Sequence, residues 1–193
     1  MMKCDIILSG VGGQGVLSVA AVITRGAMKS GFVVRQSEVH GMAQRGGAVQ
    51  AHLRISDSEI ESDLIQRGSA NILLSMEPLE GLRYLDYLRS DGILITSLDP
   101  VVNIPDYPEK SFIHSNIKSL PSYIVVESKK LAVEAGSPRS TNMVMVGAVS
   151  RKLELEEGIL EDSIREYFSS KGEKIVDINL KAFRSGREAE HTL

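Results

Sequence analysis

The sequence contains a single cysteine, Cys4, among its 193 residues. An intrachain disulfide is therefore excluded, and so are a self-contained iron–sulfur cluster and a zinc site built from cysteines. Because Cys4 stands at the start of an apolar run, we expect a small buried hydrophobic residue rather than a reactive thiol. One chain of this kind cannot carry electrons through a cluster of its own.

The sequence also lacks a strong excess of charge and any long apolar run. Its formal net charge of −3 gives no basic field that would favour nucleic acid or an anionic membrane. No apolar stretch approaches the roughly 20 residues that a membrane helix needs, and residues 1–5 lead into a strand pattern rather than a signal peptide. We therefore expect a cytoplasmic protein that binds neither nucleic acid nor membrane.

What the sequence does contain is the alternation of strand and helix patterns typical of α/β proteins. The predicted strands are residues 3–9, 32–38, 48–55, 70–76, 92–97 and 123–126. The predicted helices are residues 15–30, 77–90, a short one ending at Gly136, 156–169 and 173–188. Residues 142–149 are expected to be a buried helix capped by Ser140 or Thr141, although a run this short could also be a strand. Residues 100–121 are expected to be mostly loop, with one short strand near Phe112.

The third predicted strand decides the topology of the sheet. Only residues 39–47 connect it to the second strand, and a parallel crossover needs at least about a dozen residues. Its side chains alternate, with His52 and Arg54 on a polar face, which predicts burial on one side only. With no repeat or linker found, the sequence predicts a three-layer αβα single domain, residues 1–193, with a mixed, mostly parallel Rossmann-like sheet.

A glycine-rich run, residues 10–15 (GVGGQG), lies between the first strand and the first helix and satisfies the pattern G-x-G-x-x-G. Such a loop lets the backbone approach an anion, which the N–H groups at the helix start can bind. Val16 and Leu17 stand where a P-loop requires Lys and Ser or Thr, which argues against a nucleoside-triphosphatase. A dinucleotide site stays open, since Glu38 follows at about the spacing of a ribose-binding acid. These glycines could also simply pack strand against helix.

A second unusual stretch, residues 37–47 (SEVHGMAQRGG), follows the second strand and is too polar to fill a core. If the first two strands are parallel, both loops open at one edge of the sheet, where α/β proteins bind ligands, and Glu77 and Pro78 could join them. His40 could carry a proton near neutral pH, and Arg45 could clamp a carboxylate or phosphate. Either residue alone could equally be a solvated loop residue. The other histidines are weaker candidates: His52 is expected on the polar face of a strand, His114 in a loop and His191 in the C-terminal tail.

Together these motifs resemble the gamma domain of the 2-oxoacid:ferredoxin oxidoreductases. The resemblance rests on residues 10–15, 37–47 and 77–80 (EPLE), and it extends to the helix start at residues 142–147 (NMVMVG). Residues 37–47 are the motif most specific to this family. For a chain of this length, the resemblance is closest to the small subunits of the indolepyruvate-type enzymes.

The resemblance implies oxidative decarboxylation of a 2-oxoacid, with coenzyme A as co-substrate and electrons passed to ferredoxin. It implies that thiamine diphosphate and [4Fe–4S] clusters lie in a larger partner subunit, because this chain has neither cluster cysteines nor a Gly-Asp-Gly motif followed by asparagines. No cofactor or metal is then expected on this chain alone, and ferredoxin is expected to be reached through the complex.

The resemblance also implies a set of site residues at the shared edge. His40 and Arg45 are the candidate catalytic residues. The candidate cofactor-binding residues are Gly10, Gly12, Gly13, Gln14, Gly15, Ser37, Glu38, Gly41, Gln44, Gly46 and Gly47. Two alternatives stay open: an independent NAD- or flavin-binding oxidoreductase, and a non-catalytic scaffold whose glycine loops only shape an interface.

Overall fold

The computed structural model describes residues 3–40 and 46–189. Its six strands are β1 (Lys3–Val11), β2 (Val33–His40), β3 (Ala48–Ser56), β4 (Ala70–Ser75), β5 (Leu88–Ser97) and β6 (Tyr123–Val126). Its α-helices are α1 (Val16–Lys29), α2 (Pro78–Arg83), α3 (Lys110–Lys118), α4 (Ser128–Glu134), α5 (Thr141–Ser150), α6 (Glu157–Phe168) and α7 (Glu173–Glu188). No helix in these ranges is long and apolar enough to span a membrane.

The strands form one mixed sheet in the order β2-β3-β1-β4-β5-β6. β3 pairs antiparallel with both β2 and β1, whereas the pairs β1–β4, β4–β5 and β5–β6 are parallel. The mixed sheet predicted from the short connection at residues 39–47 is confirmed. Because two antiparallel steps separate β1 from β2, these strands point the same way and their carboxyl ends share one edge.

Helices cover both faces of the sheet and give the predicted three layers. On one face, Ile6 and Leu8 of β1 pack in a large apolar core with buried residues of α1 and α4–α7. On the other face, Ile7 of β1 packs in a smaller core with Ile113 and Ile117 of α3. Strands buried on both faces need apolar residues at nearly every position, as in β1.

The helix predicted over residues 77–90 is shorter than expected. It ends at Arg83, a single 3₁₀ turn follows at Leu85–Tyr87, and residues 88–91 belong to β5. Leu88 pairs with Ala70, and the register then shifts before Ile72. The residues after Arg83 that were assigned to this helix instead form the 3₁₀ turn and the irregular start of a strand.

The segment expected to be loop with a short strand near Phe112 contains the helix α3 instead. Its residues Ile113 and Ile117 are buried at the i, i+4 spacing of one helix face, while Phe112 is exposed. His114 accordingly lies on a helix, not in a loop. The i, i+4 isoleucine pair was the available sequence signal for this helix.

The apolar run near residue 145 is a helix, which resolves the alternative left open by the sequence. Ser140 occupies its N-cap position, but no side-chain cap is formed. The Ser140 hydroxyl donates to the carbonyl of Ser137 at 2.8 Å instead. Every residue from Asn142 to Ser150 is buried, because this helix lies between the sheet and α7.

The expectation that β3 is buried on one side only is wrong at His52, which is 4% exposed. The Nδ1 atom of His52 accepts a hydrogen bond from the N–H of Ile65 at 2.9 Å. Arg54, on the same face, binds the carboxylate of Asp5 through two hydrogen bonds of 2.8 and 3.1 Å. The chain between β3 and β4 therefore covers the polar face of β3, a long-range contact that local alternation does not report.

Candidate functional site at the carboxyl edge of the sheet

The glycine-rich run forms a tight turn between β1 and α1. Gly13 and Gly15 have positive φ values of 102° and 80°, and Gly15 is the N-cap of α1. A Cβ atom on Gly15 would lie 2.7 Å from the Nδ2 atom of Asn142. This position therefore needs glycine both for its backbone angle and for the approach of α5. The start of α1 provides the N–H groups that an anion would meet.

The second stretch meets this turn at its far end. The N–H of Gly12 donates to the carbonyl of Gly47 at 2.8 Å, and the N–H of Gly46 donates to the carbonyl of Gly12 at 3.4 Å. The two glycine segments, 34 positions apart from residue 12 to residue 46 in the numbering, thus form one continuous backbone surface. The predicted meeting of the two loops at one edge is confirmed for the part of the second stretch that the structure describes.

The predicted catalytic residues cannot be placed in this geometry. His40 is the last residue of β2, opposite Val49 of β3, and its side chain lies outside the described part of the chain. Gly41, Gln44 and Arg45 belong to residues 41–45, which also lie outside it. Their roles stay predictions.

Gln14 has a structural task within the glycine turn. Its Oε1 atom accepts from the N–H of Val11 at 2.7 Å, and its Nε2 atom donates to the carbonyl of Met76 at 2.9 Å. The side chain thereby ties the turn after β1 to the end of β4. The role in ligand binding predicted for Gln14 would have to use the hydrogen-bonding capacity of its side-chain amide that these two bonds do not occupy.

Ser37 and Glu38 lie on the edge strand β2, opposite His52 and Ala51 of β3. Glu38 is exposed, and its Oε1 atom accepts from the Nε2 atom of Gln36 at 2.9 Å. In the usual dinucleotide-binding order the second strand lies next to the first, so its terminal acid reaches the ribose. Here β3 separates β2 from β1, which argues against Glu38 as a ribose-binding acid.

Glu77 joins the same edge, as the sequence suggested. Its side chain is 1% exposed and caps α2, with Oε2 accepting from the N–H of Glu80 at 2.7 Å. Its Oε1 atom accepts from the Tyr107 hydroxyl and from the N–H of Val101, the latter at 3.4 Å. Burial, followed by the hydrogen bond to this carboxylate, raises the pKa of Tyr107 above its usual range.

One acid at this edge is incompletely satisfied. Glu80 is 2% exposed, and its Oε2 atom is the buried side-chain oxygen that has no partner among the described residues. Its Oε1 atom lies 3.4 Å from the Nε atom of Arg83. Burial raises the pKa of Glu80, Arg83 opposes the shift, and Glu77 adds to it. Here the effect of burial, which favours the neutral form of a carboxyl, outweighs the attraction of Arg83.

A small cavity of about 250 Å³, lined by both polar and apolar side chains, opens beside the turn, between Gln14, Met76 and the first turn of α5. Its polar wall is a set of short hydrogen bonds at the carboxyl ends of β5 and β6. The hydroxyls of Ser97 and Ser128 lie 2.7 Å apart, and Asp99 Oδ2 accepts from the N–H of Lys129 at 2.8 Å. The edge therefore offers backbone donors and a recess with one polar wall in the same place.

Several residues make contacts at this edge that the sequence did not predict. Asn103, whose Nδ2 atom donates to the carbonyl of Gly46 at 2.9 Å, lies in a proline-punctuated segment that resembled ordinary loop. Tyr107 is in the same segment, and Asn142 was noticed only as a helix start. Their partners are 57, 30 and more than 100 positions away, so no local pattern could have found them.

A model of the family described as pyruvate ferredoxin/flavodoxin oxidoreductase matches residues 5–189 of the chain. The chain belongs to this family. An indolepyruvate oxidoreductase subunit IorB of Archaeoglobus fulgidus is 38% identical over 194 residues, an alignment that covers 96% of this chain and 94% of the relative. The family and the general activity expected from the resemblance, that of an oxidoreductase subunit, are therefore confirmed.

Two solved structures share the fold. The pyruvate oxidoreductase subunit PORC of Thermotoga maritima superimposes with a TM-score of 0.74 at 22% identity, covering 97% of each chain. A 2-oxoglutarate:ferredoxin oxidoreductase from Magnetococcus marinus, with 2-oxoglutarate, coenzyme A and succinyl-CoA bound, superimposes with a TM-score of 0.76 at 21% identity. That match covers 97% of this chain and 31% of the longer one. The predicted mixed α/β fold is thus also found in these proteins.

Proposed function

We propose that this chain is a cluster-free subunit of a 2-oxoacid:ferredoxin oxidoreductase of the indolepyruvate or pyruvate type. In this proposal residues 1–193 act as one gamma-type catalytic domain in the cytoplasm. The complex decarboxylates a 2-oxoacid oxidatively to an acyl-CoA and passes the electrons to ferredoxin. The observation that carries the proposal is the near full-length match to a curated indolepyruvate oxidoreductase subunit.

The chemistry of the chain supports a division of labour with a larger partner subunit. Its one cysteine is 8% exposed, and burial, with smaller contributions from Asp5 and Glu154, raises the pKa of the Cys4 thiol to about 12. A buried thiol of this kind is a poor cluster ligand. We therefore assign thiamine diphosphate, the [4Fe–4S] clusters and the contact with ferredoxin to the partner.

In our proposal the carboxyl edge of the sheet faces the partner's thiamine site or the path of coenzyme A. The glycine turn presents N–H groups at the start of α1, which suit a phosphate or carboxylate. Arg45 would clamp the same anion, and His40 and Gln44 would donate hydrogen bonds to it. The bonds that join Gly46 and Gly47 to Gly12 support this, because they hold the end of the second stretch against the glycine turn.

The substitution Arg45→Ala tests this assignment in the reconstituted complex. Loss of a charge-assisted clamp is expected to raise KM for coenzyme A or for the 2-oxoacid by about tenfold or more, with the complex still assembled. The matched control is Arg35→Ala, since Arg35 is an arginine of β2, the strand that leads into the second stretch, and its side chain is more than half exposed and 3.8 Å from Asp63.

Two outcomes would contradict the proposal. If Arg45→Ala leaves the kinetics for both substrates unchanged, the stretch does not contact either of them. If the variant fails to assemble with its partner while Arg35→Ala assembles, the stretch shapes an interface, as in the scaffold alternative. Size-exclusion chromatography before the kinetic assay separates these cases.

A further inference from the structure

We propose that Asn103 is a positioning residue for the glycine turn, acting through Gly46. Residues 98–109, between β5 and α3, form a segment that we call the brace. The Nδ2 atom of Asn103 donates to the carbonyl of Gly46 at 2.9 Å. The functional part of this inference depends on the proposed function, in which the glycine turn meets an anionic substrate.

A buried carboxylate, that of Glu77, anchors the brace to the body of the protein on both sides of Asn103. The Oε1 atom of Glu77 accepts from the Tyr107 hydroxyl and from the N–H of Val101 at 3.4 Å. These two donors lie on either side of Asn103 in the chain, so they close the brace on Glu77 and direct its middle toward Gly46. Glu77 is held in turn by its cap on α2, where Oε2 accepts from Glu80 at 2.7 Å.

Three prolines limit the freedom of the brace: Pro100, Pro105 and Pro108. Proline restricts φ and lowers the conformational entropy that an ordered loop loses on folding. A stiff loop with two anchors on one carboxylate can hold an amide donor in place at low entropic cost. The composition that first suggested an ordinary loop therefore suits a brace.

Gly46 is hydrogen-bonded both to the brace and to the glycine turn. Its carbonyl accepts from Asn103, and its N–H donates to the carbonyl of Gly12 at 3.4 Å, while Gly12 donates to Gly47 at 2.8 Å. Gly46 has a positive φ of 76°, an angle that other residues adopt only with strain. The series of contacts runs from Glu77 through the brace and Gly46 to Gly12, next to the start of α1.

Loss of the Asn103 amide should therefore loosen the contact of Gly46 and Gly47 with Gly12 without unfolding the protein. Asn103 is only half-buried, and its side chain supplies one neutral hydrogen bond, so the thermal stability should change little. The expected effect is a misplaced glycine turn. It should appear as weaker binding of the anionic substrate more than as slower turnover at saturation.

The experiment compares Asn103→Ala, Asn103→Asp and the control Asn116→Ala in the assembled complex. Asn116 is an asparagine of α3 whose Nδ2 atom donates to the carbonyl of Phe112 at 2.8 Å, within its own helix. We expect Asn103→Ala to raise KM for coenzyme A or the 2-oxoacid about fivefold with kcat nearly unchanged. Asn103→Asp should raise it further, because a carboxylate would face the Gly46 carbonyl. Asn116→Ala should leave both constants unchanged.

Hydrogen exchange at the Gly12 amide provides the second readout, since it reports the brace without depending on catalysis. Faster exchange in Asn103→Ala than in Asn116→Ala, together with the KM shift, supports the inference. The inference is overturned if exchange at the Gly12 amide is unchanged in Asn103→Ala. It is also overturned if exchange is faster but KM is unchanged in Asn103→Ala, while Arg45→Ala does impair the kinetics. If Arg45→Ala is silent while exchange at Gly12 still rises, the proposed function fails and the brace stands as a structural element.

Discussion

The close approach of α5 and α7 makes a strong prediction about Gly147. A Cβ atom added at Gly147 of α5 would lie 2.0 Å from the carbonyl oxygen of Phe183 and 2.7 Å from the amide nitrogen of Arg187, both in α7. These are backbone atoms, so no rotamer change relieves the clash. The two helices would have to separate by roughly 1 Å or more, which leaves voids in a close-packed core.

We expect Gly147→Ala to lower the free energy of unfolding by about 3 kcal/mol or more, the upper range for overpacking. For a chain of this size that corresponds to a fall in Tm of about 6–12 °C. Gly158→Ala is the matched control: Gly158 is the second residue of α6, a Cβ added there meets nothing within 4 Å, and alanine should change the stability by no more than about 0.5 kcal/mol.

Urea denaturation followed by circular dichroism measures both variants. The reasoning is refuted if Gly147→Ala unfolds within about 0.5 kcal/mol of the unmodified protein, the range of an ordinary surface substitution. The change should also reach the candidate site, because α5 begins beside Gly15, where Asn142 packs against the glycine turn. Hydrogen exchange in the glycine turn should therefore rise in Gly147→Ala and not in Gly158→Ala.

Three further predictions concern buried polar groups. Burial, with Arg54 adding to it, lowers the pKa of His52 from its usual 6.5, so the unfolded chain binds this proton more tightly. Stability is therefore lost as the pH falls below about 6.5, and His52→Gln should flatten this slope in urea titrations. Asp5→Ala leaves the half-buried Arg54 without its carboxylate and should cost about 1–3 kcal/mol, whereas the double variant Asp5→Leu with Arg54→Met should recover most of it. The Cys4 thiol, with a pKa of about 12, should react with a thiol reagent at pH 8 only as fast as the protein opens; rapid stoichiometric labelling of the folded chain would contradict this.

Much of the fold follows from local sequence signals. The short connection at residues 39–47 excludes a parallel crossover, and this alone predicts the antiparallel β3 within the sheet. The glycine turn was recognisable because a strand pattern precedes it and a helix pattern follows. Amphipathic spacing located α6 and α7 within one or two residues, because each buries one stripe against a neighbour.

The errors at His52 and at the end of α2 have a common physical origin in long-range contacts. The burial of His52 depends on Ile65, and the early end of α2 depends on the pairing of Leu88 with Ala70. A periodicity argument sees only the residues of one element, so it assigned His52 to solvent and Leu88 to a helix.

In the candidate site, too, the parts with a local sequence signal could be predicted and the parts that depend on long-range contacts could not. The glycine turn and its meeting with the second stretch were predictable, since parallel strands bring their carboxyl ends to one edge. The brace was not, because Asn103 and Gly46 meet across 57 positions and neither the asparagine nor the prolines around it form a motif. Residues that position a site through such contacts are found only from the structure.

The most direct test of the central claim is to purify the tagged chain from its native host and analyse what accompanies it. Our account predicts a larger partner that carries iron and thiamine diphosphate, with dye reduction that depends on a 2-oxoacid and on coenzyme A. Omission of coenzyme A should suppress steady-state turnover. A chain that purifies without a partner and holds stoichiometric NAD or flavin would contradict the account and assign the glycine turn to a dinucleotide.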